Sequence, residues 1–189
     1  VSRFMFNELG SNVKYSELHW PFEFLKNAGL ILKSYFVSQI DQPFRTNQKL
    51  EERNIFKCFY FDIGLLQAAL STPLNSQNED IGYYKGYIAE NFIATMIYSR
   101  LHHDLITYKK NSKSDSAEVE FILNDSKGHP IPIEVKSSKK SLQSKSLNSF
   151  IHTFHPHEAF KLVPTTGGGA DKYVATPLYL IEKILDEIG

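Results

Sequence analysis

Polar and apolar positions first fall into a helical rhythm at "YSELHWPFEFLKNAGLILKSYFVS", residues 15–38. Ser16 stands where an N-cap belongs, Gly29 where a helix ends, and Leu30 to Val37 then alternates as a strand. Helix, glycine and strand in that order suit the end of a winged-helix-type unit, and suit equally a plain helical hairpin with a neighbouring strand. Pro43 to Arg53 is polar and reads as a loop or wing tip. Cys58 to Phe61 gives a short strand, and Asp62 is placed to cap a helix running through Ala69. Residues 71–79, "STPLNSQNE", have no apolar period and contain Pro73. The chain therefore divides into residues 1–72 and residues 80–189.

Gly82 to Leu101 reads as a long helix. Tyr83, Gly86, Ile93, Ala94, Ile97 and Leu101 share one stripe, and Glu90 interrupts it. Ile88, Phe92 and Met96 lie on the other side, so the helix should be covered on two sides. Three strand candidates follow, "DLITYKK", "AEVEFIL" and "IPIEVKS", the last two joined by a turn over Asn124 to His129 in which Gly128 relieves the backbone. After them come a helix "SLNSFIHTF", a strand "AFKLV", a glycine-rich loop, and a last helix for which Thr176 and Pro177 are a start signal. This order describes an α/β fold, a mixed sheet with helices on both faces. The hairpin 118–136 should lie at or next to its centre.

Composition agrees with a packed domain. Over 189 residues, 42% are hydrophobic and 22% charged, with aromatics at 13%. Lys+Arg and Asp+Glu are equal at 21 each, so attraction to nucleic acid must come from a local patch. The single cysteine, Cys58, sits in an apolar run, which makes a reducing cytoplasm the expected setting. No apolar stretch nears the roughly 18 residues of a membrane helix, so no membrane partner is expected. The sequence opens at Val1 rather than Met and leads straight into helix-like sequence, as a piece of a longer protein does.

The chemistry is concentrated in the hairpin. Strand alternation places Val119, Phe121 and Leu123 on one face with Glu118 and Glu120 on the other. It likewise separates Ile131, Ile133 and Val135 from Glu134 and Lys136. A turn centred on Lys127 sets Glu120 opposite Glu134, about 5 Å apart at Cβ, where like charges repel unless a cation intervenes. Two carboxylates and a main-chain carbonyl suit Mg²⁺, Lys136 can orient or help deprotonate a water, and Glu90 can support the group from the helix. The same spacing also suits an ordinary wet strand edge. Lys109, Lys110 and Lys113 precede the acidic strand and Lys136, Lys139, Lys140 and Lys145 follow it, so seven of the 21 basic residues flank the hairpin. That is either a phosphate-binding rim or a solvated lysine-rich loop. His152, His155 and His157 cluster without a cysteine or a paired acidic ligand nearby and read as surface residues. "TTGGGAD" at 165–171 lacks the lysine of a phosphate-binding loop.

"YFDIGLL", "GYIAENFI", "AEVEFIL" and "PIPIEVKSS" occur in an order that resembles the C-terminal domain of unknown function of bacterial and archaeal AAA-type ATPases. The resemblance implies a partial winged-helix-like unit followed by a restriction-endonuclease-like (PD-(D/E)XK) mixed sheet. It also implies Glu120, Glu134 and Lys136 as catalytic positions, Glu120 and Glu134 as metal ligands for Mg²⁺, and Glu90 in support. Glu120 stands where that motif more often has Asp. Nucleic acid is the partner so implied, with Lys109, Lys110, Lys139 and Lys140 as its contacts, and the ATPase domain would lie upstream. A non-catalytic interaction or regulatory module of the same ATPase is the competing expectation. A winged-helix DNA-binding protein is a third, though only Arg3, Lys14, Lys26 and Lys33 are basic in the first 40 residues.

Overall fold

The computed structural model describes residues 4, 14–41, 43–44, 55–70, 80–110, 117–137, 144–165, 169–170 and 172–188. Helix α1 spans Tyr15–Asn27 and is entered from Lys14 rather than Ser16, because the Glu17 side chain folds back onto the Lys14 N–H. Gly29 ends it at φ +69°, a left-handed conformation that glycine adopts without steric cost. Strand β1, Ile31–Val37, pairs antiparallel with β2, Phe56–Tyr60, and parallel with β3, Leu105–Lys109. Between β2 and β3 lie α2, Ile63–Leu70, and α3, Asp80–Leu101. Asp62 caps α2 as expected, its Oδ1 accepting the Leu65 N–H at 3.0 Å.

The hairpin strand is split. Strand β4, Glu118–Val119, closes a first sheet ordered β2-β1-β3-β4, and β5, Phe121–Asn124, opens a second ordered β5-β6-β7-β9-β8. Only Glu120 separates the two. The second sheet contains β6, Pro130–Val135, β7, Phe160–Val163, β8, Gly169–Ala170, and β9, Tyr173–Pro177. Helix α4, Lys145–Phe154, precedes β7, and a 3₁₀ turn at Leu178–Leu180 leads into α5, Ile181–Ile188. The fold is thus α/β with two mixed sheets, and β1 and β2 share a sheet with β3 and β4.

Two hydrophobic cores lie on opposite faces. One joins Ile93, Ala94 and Ile97 of α3 and Ile184 and Leu185 of α5 to Leu105, Phe121, Leu123, Ile131, Ile133 and Val135. The other joins Leu147 and Phe150 of α4 to Ile106, Tyr108, Val119 and Ile122. The hairpin is covered on both sides, as its apolar content requires.

Three further expectations need correcting. Val119 and Phe121 do not share a face: the first packs under α4 and the second under α3. One extra residue, Glu120, interrupts the alternation there, which is the geometry of a bulge. Thr176 and Pro177 do not begin a helix; they end β9, which pairs parallel with β7 through Lys161↔Ala175 and Leu162↔Thr176. The strand near Cys58 runs from Phe56 to Tyr60, so Phe61 lies outside it. Among the described residues no helix is long and apolar enough to cross a membrane.

Candidate functional site

The hairpin turn fixes the register from which the site is built. Asn124 pairs with Pro130 and Phe121 with Ile133, which centres the turn on Lys127 as the sequence predicts. Asp125 organises it: its Oδ1 accepts the N–H groups of Lys127 and His129, both at 2.8 Å, and its Oδ2 lies 2.8 Å from His129 Nδ1. The His129 N–H first, then its ring, hold the Asp125 carboxyl down to about 2. Gly128 has φ +82° and passes so close to the residue 43–44 segment that a Cβ on it would lie 2.5 Å from Pro43 Cβ.

Beyond the paired register, Glu120 would face Glu134, but the bulge turns it aside. Its carbonyl accepts the Thr107 hydroxyl at 2.9 Å. Thr107 Oγ1 therefore takes its own hydrogen bond from Ser34 Oγ, 2.7 Å away. Both hydroxyls are buried. The Glu120 carboxylate reaches across to β6, where Oε2 accepts the Val135 N–H at 3.2 Å. Burial raises its pKa to about 7, against the pull of Lys136 and with the added repulsion of Glu90.

Glu134 and Lys136 share the α4 face and form an ion pair through Glu134 Oε1. The other oxygen, Oε2, is buried and accepts no hydrogen bond from the described residues, in a residue only 2% exposed. Burial opposes the Lys136 charge, but Glu120 and Glu134 outweigh it and hold the ammonium above its usual range. Lys161, the register partner of Glu134, is also buried on this face, its ammonium 5.7 Å over the Tyr173 ring. Burial lowers its pKa, with Glu134 acting the other way.

Glu90 is buried on α3 and makes an ion pair with a lysine outside the hairpin. Lys57 of β2, wholly inaccessible to solvent, lies 3.2 Å from Glu90 Oε2 and 2.8 Å from Glu118 Oε1. Burial opposes its charge, and the fields of Glu90 and Glu118 more than compensate, raising its pKa. Glu118 thus belongs to the α3 face rather than beside Glu120. Lys57 escaped the sequence reading, although a lysine inside "IFKCFYF" is a signal, since a cation in a strand that is apolar on both faces needs a buried anion.

The basic rim is only partly described. Lys109 Nζ sits 3.5 Å from Glu118 Oε2 and 5.5 Å over the Phe36 ring. The Lys110 N–H donates to the Ala117 carbonyl at 2.8 Å, closing the β3–β4 connection. Lys113, Lys139 and Lys140 lie outside the described residues. His157 packs edge-on against His129, 4.4 Å between ring centres, and His155 takes φ 48° at the end of α4.

Among the described residues, no three His, Cys, Asp or Glu side chains converge as a ready-made metal-ligand set. Glu120 and Glu134 are two carboxylates, and Mg²⁺ commonly takes one or two with water completing its shell. The unsatisfied Oε2 of Glu134 has lone pairs able to accept a hydrogen bond or to coordinate a cation.

No curated protein and no solved structure matches the chain. Residues 85–180, just over half of the 189, match the domain of unknown function DUF4143 and contain Glu90, Glu118, Glu120, Glu134, Lys136 and Lys161. The chain belongs to the DUF4143 family.

Proposed function

We propose that the protein is a nuclease-like accessory domain of an AAA-type ATPase that binds nucleic acid and hydrolyses phosphodiesters with a divalent metal at Glu120 and Glu134. The observation that carries this reading is the buried, unpartnered Oε2 of Glu134 beside Lys136 and the bulged Glu120. An isolated buried carboxylate oxygen is costly, and a cation offsets that cost. The succession α3, β3, β4 with β5, β6, α4, β7 has the order helix, three strands, helix and strand expected of a restriction-endonuclease-like core, which supports the same assignment. Attachment to an ATPase rests on the sequence resemblance alone.

Bound there, a divalent ion would supply charge neutralisation at the phosphate and acidify a water. The chain's own contribution is separate. Glu134 and Glu120 hold their oxygens at the shared end of β5 and β6, and the Val135 N–H fixes the second carboxylate. Lys136, partly exposed and paired to Glu134, presents an ammonium to a phosphate oxygen or an attacking water.

Calorimetry with Mn²⁺ and cleavage of plasmid and single-stranded DNA test the proposal. Lys136→Ala should abolish cleavage and leave metal binding largely intact, whereas Glu134→Ala should weaken both. An absence of both metal binding at millimolar concentration and cleavage sinks it. The ion pairs of Lys57 and Lys136 would then favour the second reading, a non-catalytic interaction module whose charges serve the fold.

A further inference from the structure

The acidic side chains around the hairpin fall into two groups, and in one of them two carboxylates share a single buried ammonium. On the α3 face Glu90 and Glu118, from a helix and a strand, both contact the Lys57 ammonium. On the α4 face Glu134 keeps one oxygen without a partner although Lys136 holds the other. Glu120 stands at the bulge between them and feels the fields of Lys57, Lys136, Glu90 and Glu134. Lys57 comes from β2, outside the segment that matches the DUF4143 family.

We propose that the Lys57 ammonium occupies the place of a second divalent cation, so that β2 limits the acidic cluster to a single metal ion at Glu120 and Glu134. The inference rests on the metal-site reading above for where that one ion binds. Its own content is the role of Lys57. An ammonium 2.8 and 3.2 Å from carboxylates on two elements satisfies the same oxygens that a hard cation would take. Remove it, and Glu90 and Glu118, with Glu120 nearby, lose the buried cation they share, Glu118 keeping the longer contact to Lys109 at 3.5 Å, and the pocket takes on the character that collects Mn²⁺. Lys57 is accordingly a positioning residue. It keeps Glu90 and Glu118 from competing with Glu134 for metal.

The test counts Mn²⁺ per folded chain, by calorimetry and by the loss of free-ion electron spin resonance signal. Wild type should bind one ion, lost in Glu134→Ala. Lys57→Met should bind two, the additional one lost in Lys57→Met/Glu118→Gln and kept in Lys57→Met/Glu134→Ala. Lys57→Arg, which keeps the charge, should remain at one. A folded Lys57→Met that binds one ion, as wild type does, overturns the inference and leaves the metal-site reading intact, and no ion in either protein overturns both. Wild type binding no ion while Lys57→Met binds one sensitive to Glu118→Gln has the opposite meaning: the reading at Glu120 and Glu134 fails and the role of Lys57 stands. If Lys57→Met is unfolded in chelator, recovery of its folded circular dichroism in millimolar Mn²⁺ supports the inference, and failure to recover overturns it.

Discussion

Glu120→Gln isolates the electrostatic state of the bulge. In the folded protein the Glu120 carboxyl has its pKa raised from 4.5 to about 7, chiefly by burial. The folded state therefore holds a proton between those two values that the unfolded state has released. Where the unfolded state binds fewer protons, stability falls as pH rises. The contribution is fully present below 4.5, is lost progressively through the window, and is gone above about 7. At about 1.4 kcal/mol per unit, the whole loss is at most roughly 3 kcal/mol.

Urea denaturation at pH 5, 6, 7 and 8, with ΔG extrapolated to water, measures this slope. Histidines also titrate in this range, so the decisive quantity is the difference between wild type and Glu120→Gln. The amide keeps the shape and an acceptor for the Val135 N–H but has no proton to release. Wild type should lose on the order of 2–3 kcal/mol more than the variant between pH 5 and 8. Millimolar Mg²⁺ should shrink that difference if the carboxylate is a ligand, since a bound cation favours the ionised form. Identical pH slopes for the two proteins refute the reasoning about burial at Glu120, whatever the metal does.

Gly128→Ala should be the more costly of two glycine replacements: it meets Pro43 Cβ at 2.5 Å as well as a positive φ, and should lower stability by roughly 2 kcal/mol or more. Gly29→Ala has φ +69° but no atom within 4 Å of the new Cβ, and should lose only about 1 kcal/mol. Equal urea midpoints for the pair would refute the close approach of residues 43–44 to the turn. Asn91→Leu removes a buried amide that accepts the Tyr60 N–H at 2.8 Å and donates to the Tyr60 carbonyl at 2.9 Å. The cost should be about 2 kcal/mol or more by chemical denaturation, and a change under about 0.5 kcal/mol would put it in the range of neutral surface substitutions.

The sequence shows most clearly what depends on neighbours along the chain. The turn centred on Lys127, the cap at Asp62 and the paired face of Glu134 and Lys136 follow from local chemistry and a period of two. The bulge at Glu120 does not, because it depends on Thr107 and Ser34, which belong to other strands and offer a hydroxyl in place of a ladder amide. Strand β9 was equally concealed. Thr176 and Pro177 have helix-start chemistry, and only the parallel partner β7 makes them strand. Between these extremes lie Lys33, Lys57 and Lys161, each buried within an apolar strand. Burying an ammonium without an anion is prohibitive, so each announces a carboxylate without saying which. Lys33 finds Glu23 at 2.6 Å on α1, and Lys57 finds Glu90 and Glu118. The same argument run from the acid is what singles out Glu134: its register partner is the buried Lys161 and its ion partner is Lys136, yet one of its oxygens remains unsatisfied. A carboxylate flanked by two cations and still short of a partner is poorly explained by fold stability alone, since a well-packed apolar residue there would avoid the desolvation cost altogether.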